Sequence, residues 1–232
     1  SRTMSRYDDV IFDLDGTLID SLAGIHRSLN RALAFYHLPP VGEDAARGAV
    51  GHGVMNALRH VVRASAAQNG GDAELWFAQH GEAIAEVYRR EYAVGYRGVT
   101  VLYPGVYDVL STLRTHSIRC YAVSNKPEAF CSSILDELGV SSFFQFVAGE
   151  DTFAERKPSV VVWRELTKKY ALRPGRTLMV GDGKADSEFG SNAGIDVCLV
   201  RYGITPANIV DAYAANYRID NIRDVVDIVL GQ

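Results

Sequence analysis

The sequence predicts an α/β fold in which a doubly wound (Rossmann-like) parallel sheet forms the core and an all-helical cap domain is inserted into it. Short apolar runs alternate with segments of helical periodicity, a pattern typical of crossover connections between parallel strands. One long interruption, residues 19–97, is mostly helical in pattern. Polar and acidic residues follow directly after several predicted strands, as expected at the carboxyl edge of such a sheet.

The strands are predicted from short runs of apolar and β-branched residues that are bounded by turn residues. They occupy residues 10–12, 119–123, 146–148, 177–180 and 197–200, with a short sixth at 217–219. Most of these runs are apolar throughout rather than alternating with polar residues. This favours parallel strands that are buried on both faces of the sheet.

The helices of the core are predicted from the same periodicity and from their boundary residues. Gly139 is predicted to follow the end of one helix, since glycine readily adopts the left-handed backbone conformation found there. Pro158 is predicted to open a second helix. Thr205 and Pro206 are predicted to supply the N-cap and first turn of a third.

Residues 19–97 are predicted to form the helical cap domain, and residues 1–18 with 98–232 the α/β catalytic core. A single crossover connection does not need so long a segment. Asp20 and Ser21 are predicted to cap the first helix of the insert rather than to act in catalysis. His52 stands between two glycines and has two interpretations: a ligand for a substrate carboxylate, or a loop histidine without that role.

Composition and charge exclude several classes of partner. The net charge is −4 and the basic residues are scattered, so the chain lacks the basic stripe of a nucleic-acid-binding protein. No apolar run approaches the length of a membrane span, and the first residues lack a hydrophobic signal core. The three cysteines are far apart, as is typical of reduced thiols. We therefore expect a cytoplasmic monomer or homodimer with no nucleic-acid or membrane partner.

Four aspartates follow predicted strands. Asp13 and Asp15 come after the first strand, and Asp182 and Asp186 after the fourth. The carboxyl ends of parallel strands meet at one edge of a sheet, so these carboxylates are expected to converge. So many negative charges need a cation, and hard oxygen ligands suit Mg²⁺. The sequence therefore predicts a magnesium site.

Hydrogen-bond donors are predicted at the same edge. Ser124 and Asn125 follow the second strand, Lys157 precedes a helix, and Thr17 lies in the turn after the first strand. A metal beside an anion pocket and a carboxylate indicates phosphoryl transfer. One aspartate is expected to attack phosphorus, giving an aspartyl-phosphate. The aspartate two positions later would act first as a general acid and then as a general base.

The motifs "DLDGT", "SN", "KP" and "GDGKAD", in this order, resemble those of the haloacid dehalogenase (HAD) superfamily of phosphohydrolases. The stretches "FDLDGTLIDS", "LNRAL", "GHG" and "YPGVYDVL" look most like the phosphoglycolate phosphatase branch, which carries a helical cap. The similarity covers nearly the whole chain.

The resemblance implies a role for each aspartate. Asp13 would be the nucleophile and a metal ligand, and Asp15 the acid and base, with its backbone carbonyl on Mg²⁺. Asp182 would ligate the metal, and Asp186 would support it directly or through water. Gly183 departs from the family pattern, in which Ser or Thr is common, and this bears on whether Asp186 contacts the metal.

The resemblance also implies how phosphate is held. Ser124 would bind the phosphoryl group with Asn125 beside it. Thr17 is predicted to donate to phosphate from its position in the turn after the first strand, apart from the resemblance. Lys157 would neutralise charge between the nucleophile and the phosphate. Val160 and Phe189 differ from the residues usual in the family, and neither change affects the first aspartate pair.

The expected activity is Mg²⁺-dependent hydrolysis of a small phosphate monoester, phosphoglycolate-like or sugar-phosphate-like. A phosphomutase similar to β-phosphoglucomutase, or a non-catalytic protein that binds Mg²⁺ and phosphate, are the alternatives. A dehalogenase would leave Asp15 and Asp182 without a use. Phosphonate cleavage would need a Schiff-base lysine from the cap, and residues 19–97 contain no lysine.

Overall fold

A computed structural model describes residues 4–232 of the chain. The chain divides into two compact units: one runs to Asp20 and resumes at Leu102–Gln232, and the other is Ser21–Val101. The predicted fold class is confirmed, since a parallel sheet with flanking helices is interrupted by a helical insert. The predicted domain boundaries at residues 18 and 97 stay predictions.

Six strands of the first unit form one parallel sheet with the order β5-β4-β1-β6-β7-β8. Within residues 4–232 the strands are β1 (Asp9–Phe12), β2 (Ile19–Asp20), β3 (Val101–Leu102), β4 (Arg119–Val123), β5 (Phe144–Ala148), β6 (Thr177–Gly181), β7 (Asp196–Val200) and β8 (Tyr217–Ile219). All six predicted strands are confirmed, and β5 starts two residues before the predicted position.

The first strand lies in the middle of this sheet. Phe12 of β1 is opposite Ala122 of β4 on one side and Val180 of β6 on the other. The chain adds β4 and β5 on one side and then crosses β1 to add β6, β7 and β8 on the other. The carboxyl ends of β1, β4 and β6 are therefore neighbours at the switch in strand order, where open α/β sheets bind ligands.

The helices of the described chain are α1 (Leu22–Phe35), α2 (Glu43–Ala49), α3 (Val54–Ala67), α4 (Ala73–Gly95), α5 (Val106–Thr115), α6 (Glu128–Glu137), α7 (Val160–Tyr170), α8 (Lys184–Ala193), α9 (Ala207–Val210) and α10 (Asp224–Leu230). Helices of the first unit pack on its sheet and bury large apolar side chains. These include Ile11, Tyr121, Met179 and Leu199 from strands and Leu166 and Phe189 from helices. Burial of each such side chain contributes about 1.5–3 kcal/mol and holds the strand ends in place.

Two of the predicted helix boundaries are wrong by one or two residues. The helix expected to open at Pro158 begins at Val160, because the Ser159 hydroxyl accepts a hydrogen bond from the Val161 N–H and caps it. The helix expected to be capped by Thr205 begins at Ala207, with Pro206 at the N-cap position. The Thr205 N–H instead donates a hydrogen bond to the side chain of Asp182.

The second unit is a bundle in which α1 and α3 both pack along α4. Ser21 occupies the N-cap position of α1, as predicted. Gly95 of α4 lies close to α1: a Cβ there would lie 2.5 Å from Ser28 Oγ, and its carbonyl accepts a 2.8 Å hydrogen bond from Arg27. Among residues 4–232, the structure contains no helix with the combined length and hydropathy that crossing a bilayer requires.

Candidate active site

Three neighbouring strands deliver polar residues to one edge of the sheet. Asp13 follows β1, Ser124 follows β4 and Asp182 follows β6. The hydrogen bonding between β1 and β6 continues past the end of β1, because the Asp13 N–H donates to the Val180 carbonyl at 2.9 Å. The Ser124 N–H likewise donates to the Ala148 carbonyl of β5 at 2.9 Å. The backbone positions of Asp13 and Ser124 are therefore fixed by hydrogen bonds that extend the sheet.

The carboxylates of Asp13, Asp182 and Asp186 form a buried cluster. Each offers an oxygen within 4.8 Å of the others, a spacing at which one metal ion can contact several of them. Asp186 reaches the cluster from the first turn of α8, which follows the glycine-bounded turn after β6. The predicted convergence of these three side chains is therefore present.

Lys157 joins two members of the cluster. Its ammonium lies 3.1 Å from Asp13 Oδ1 and 2.7 Å from Asp186 Oδ1, and its side chain is buried. Burial lowers the pKa of Lys157, but the attraction of the two carboxylates outweighs this effect and the net pKa is raised. Lys157 therefore remains a cation in the interior.

The two oxygens of Asp13 differ. Oδ1 accepts hydrogen bonds from the Leu14 N–H at 2.8 Å and from Lys157. Within the described chain, none of the protein's donors bonds to Oδ2. The side chain is thus held by one oxygen and leaves the other for a ligand.

Asp182 shows the same asymmetry. Its Oδ2 accepts hydrogen bonds from the Ile204 N–H at 2.9 Å and the Thr205 N–H at 3.0 Å. Over residues 4–232, Oδ1 has no hydrogen-bond partner from the protein. Asp186 is different, since Lys157 occupies Oδ1 and the Asp182 and Gly183 N–H groups donate to Oδ2.

Burial makes the negative charges of the cluster unfavourable. It raises the pKa of Asp182 to about 7, and repulsion from Asp186 adds to the increase. Burial likewise raises the pKa of Asp13 well above its usual value; Asp186 contributes, and Lys157 opposes the change. A bound cation would remove this penalty, because it favours the ionised carboxylates.

Asp15 forms an ion pair that the motifs did not predict. The Lys126 ammonium lies 3.3 Å from Asp15 Oδ1, and both side chains are buried. Lys126 was not among the predicted site residues, although it lies two positions after Ser124 at the same edge of the sheet. With Lys126 and Lys157, two cations face four aspartates, and one divalent ion would balance the two excess negative charges.

Three further predicted residues lie around this cluster. Ser124 Oγ accepts a hydrogen bond from the Lys126 N–H at 3.1 Å. Asn125 donates to the Lys157 carbonyl at 2.9 Å and so anchors the backbone of that lysine. The Thr17 hydroxyl is fully buried in the turn after Asp15 and makes no hydrogen bond within residues 4–232. An unsatisfied buried hydroxyl is costly unless a ligand supplies its partner.

His52 belongs to the second unit. It lies in an exposed bend before α3, where its carbonyl accepts a hydrogen bond from the Asn56 side chain at 2.9 Å. Its predicted role in binding substrate stays a prediction.

Comparison with known proteins identifies the family to which this fold and aspartate cluster belong. Residues 10–200 match the family described as haloacid dehalogenase-like hydrolases, and the chain belongs to that family. A phosphoglycolate phosphatase of Pseudomonas putida is 32% identical over 214 residues, which cover 92% of this chain and 76% of that protein. A phosphoglycolate phosphatase of Vibrio vulnificus is 29% identical over 221 residues, 95% of each chain.

A solved structure agrees with these relatives. A protein from Haemophilus somnus, named a predicted phosphoglycolate phosphatase, superposes with a TM-score of 0.85 and 26% identity. The match covers 97% of this chain and 99% of that one. The predictions of a hydrolase and of a likeness to phosphoglycolate phosphatases are therefore confirmed.

Proposed function

We propose that the protein is a Mg²⁺-dependent phosphatase that hydrolyses a small phosphate monoester through an aspartyl-phosphate. The observation that supports this most directly is the state of Asp13. One of its oxygens is fixed by Leu14 and Lys157, and the other is left without a donor from the described residues. A nucleophilic carboxylate needs this combination of fixed orientation and an available oxygen.

The donor set fits Mg²⁺. Asp182 presents one carboxylate oxygen that the described protein donors leave unused, and Mg²⁺ prefers such hard oxygen ligands. Asp13 would contribute its Oδ1 to the ion, because its Oδ2 is the atom proposed to attack phosphorus. The Asp15 backbone carbonyl would be a third ligand. Asp186 would support the ion through water, because both of its oxygens already accept protein hydrogen bonds. Bound Mg²⁺ would supply positive charge to the phosphate and to the aspartates.

The residues of the chain would divide the reaction between them. Asp13 Oδ2 would attack phosphorus, and the bond from phosphorus to the ester oxygen would break. Asp15 would give a proton to the departing oxygen and later take one from the water that attacks the aspartyl-phosphate. Lys157, which already contacts Asp13, would stabilise the negative charge that builds up between nucleophile and phosphate.

Donors from two loops, those after β1 and β4, would hold the phosphoryl oxygens. Ser124 and Asn125 follow β4, beside Asp13, and the Thr17 hydroxyl lacks a partner in the described protein. We expect the Thr17 hydroxyl and nearby backbone N–H groups to bind phosphate. Asn125 would act through Lys157, whose carbonyl it already contacts.

The relatives support one substrate for the first test. Curated relatives that match more than 90% of this chain are named phosphoglycolate phosphatases, so 2-phosphoglycolate is the preferred substrate and sugar phosphates come next. His52 would then bind the carboxylate of the substrate. Three buried free cysteines are consistent with a reducing cytoplasm as the site of action.

The test is release of inorganic phosphate from 2-phosphoglycolate and from sugar phosphates, with Mg²⁺ or with excess chelator. We expect release only with Mg²⁺, and a loss of at least about a thousandfold in Asp13→Asn, which keeps the shape of the side chain but is not nucleophilic. Asp8→Asn is the matched control, since Asp8 lies outside the cluster and pairs with Arg176.

Three results would contradict the proposal. Full activity of Asp13→Asn would exclude Asp13 as the nucleophile. Conversion of a sugar phosphate into its isomer without free phosphate would identify a mutase, and binding of Mg²⁺ and phosphate without turnover would identify a non-catalytic protein.

A further inference from the structure

The loop after β7 contacts both Asp182 and the turn that carries Asp15. We call residues 202–205 the β7 loop. Its Ile204 and Thr205 N–H groups hold Asp182 Oδ2 at 2.9 and 3.0 Å. The Tyr202 hydroxyl donates a 2.5 Å hydrogen bond to the carbonyl of Thr17, in the turn that carries Asp15. One short segment is therefore bonded to the metal-site aspartate and to the turn of the expected acid.

Two glycines let the β7 loop approach this turn. A Cβ at Gly203 would lie 2.1 Å from the Gly16 carbonyl oxygen and 2.6 Å from Asp182 Oδ2. A Cβ at Gly16 would lie 2.3 Å from the same Asp182 oxygen, and Gly16 has a φ of +81°, which favours glycine. Loop, turn and Asp182 are thus in van der Waals contact with no space for a side chain between them.

Tyr202 is itself held in place. Its ring packs edge-on against Tyr103 with 4.7 Å between centroids. Burial, with the neighbouring Tyr103 and Asp182, raises the pKa of Tyr202, so the hydroxyl stays protonated and can donate. The turn it contacts contains a glycine, the residue with the most backbone freedom. Without the hydroxyl, the Thr17 carbonyl would lose the bond that ties it to the β7 loop.

We propose that Tyr202 is a positioning residue: it fixes the turn 15–17 and so aligns Asp15 with the leaving oxygen of the substrate. This inference rests on the proposed phosphatase activity. It gives Tyr202 a role through Asp15 and not through contact with substrate. The expected consequence is a loss of proton donation to the leaving group, with the attack by Asp13 little changed.

Tyr202→Phe tests the proposal, because it removes one oxygen and keeps the ring packing. We expect kcat/KM for 2-phosphoglycolate, whose alkoxide needs a proton, to fall about tenfold. For p-nitrophenyl phosphate, whose phenolate leaves without a proton, the fall should be about twofold or less. Tyr170→Phe is the matched control, since its hydroxyl also donates to a backbone carbonyl, that of Gln145 at 3.1 Å. It should change neither value.

A second readout does not depend on activity. Hydrogen–deuterium exchange of the peptide spanning residues 13–18, in the full chain, should be several-fold faster in Tyr202→Phe than in the wild type. It should be unchanged in Tyr170→Phe.

The outcomes separate the two proposals. Equal losses with both substrates, or no loss, would overturn the role of Tyr202, as would unchanged exchange of this peptide. Absence of phosphate release from the wild-type protein would instead refute the proposed function.

Discussion

The two ends of the parallel sheet carry aspartates in opposite electrostatic surroundings. At the amino end, Asp9 of β1 accepts hydrogen bonds on both oxygens: Arg119 contacts Oδ1 at 2.8 Å and Oδ2 at 3.0 Å, and the Tyr121 hydroxyl donates at 2.9 Å. At the carboxyl end, Asp13 and Asp182 each have one oxygen without a donor from the described residues. Asp9 is therefore saturated with hydrogen-bond donors, whereas Asp13 and Asp182 are only half satisfied.

Burial alone does not distinguish these two kinds of aspartate. Asp9 is 2% exposed and Asp182 is 4% exposed. Each nevertheless experiences a different field, because an arginine faces Asp9 and another carboxylate faces Asp182. An incomplete set of donors, more than depth in the fold, therefore distinguishes the two carboxylates of the proposed site from Asp9.

The largest difference between the ends should appear in Asp182→Asn. We expect Mg²⁺ binding to weaken and kcat/KM to fall by about a thousandfold, equivalent to about 4 kcal/mol, because an oxygen ligand of the proposed ion is lost. Phosphate release against Mg²⁺ concentration, with calorimetric titration of Mg²⁺, measures both effects.

The metal-free protein provides the control for this variant. The folded-state pKa of Asp182 is raised to about 7, so ionisation costs stability that accumulates as the pH rises from about 4 to 7. Metal-free Asp182→Asn should therefore unfold at a higher denaturant concentration than metal-free wild type, and by more at pH 8 than at pH 5. A less stable variant at pH 8 would contradict the repulsion described for the cluster.

Asp9→Asn should lower stability and leave activity nearly unchanged, the opposite of what we expect for Asp182→Asn. It removes the charge facing Arg119 and one acceptor of the Arg119–Tyr121 set, so the free energy of unfolding should fall by about 2 kcal/mol. Activity per folded molecule should remain within twofold, since Asp9 lies at the far end of β1 from Asp13. Urea unfolding and phosphate release measure the two quantities. A large loss of activity in the fully folded variant would show that the two ends are coupled.

The sequence contains enough information to predict the group of polar residues at the carboxyl end of the sheet. Asp13, Ser124 and Asp182 follow continuous apolar runs, and parallel strands bring the residues after such runs to one edge. The pattern of strands, together with the acidic and polar side chains that follow them, is therefore enough to predict that these residues lie close together. Lys157 was predicted with them, on its motif, and the structure brings it to Asp13.

Other contacts of the site could not be predicted in this way. Asp182 is held by the backbone N–H groups of Ile204 and Thr205, which every residue except proline possesses. The prediction of Thr205 as a helix cap was wrong by one residue, since Pro206 occupies the N-cap position, and the bond from the Thr205 N–H to Asp182 leaves no signal in the sequence. The Lys126–Asp15 pair depends on the direction of the loop after β4, which the pattern of strands does not determine.

The smallest effect concerns Asp8, which precedes β1 at the amino end. The hydrogen bond from Arg176, together with Arg173, lowers the pKa of Asp8 despite its partial burial. A lowered folded-state pKa stabilises the fold above the pKa of the unfolded chain, and this stability is lost as the pH falls through the folded-state value.

We expect Asp8→Asn to reduce the free energy of unfolding by about 0.5–1 kcal/mol at pH 7, the usual range for a partly exposed ion pair. The difference from the wild type should shrink below pH 4 and at high salt, because protonation and screening each remove the attraction. Chemical unfolding at pH 7 and pH 3, each at low and high salt, measures it. The pH dependence is opposite in sign to that of Asp182 in the metal-free protein, so a stability difference at Asp8 that grows towards acid pH would remove the electrostatic contrast between the two ends of the sheet.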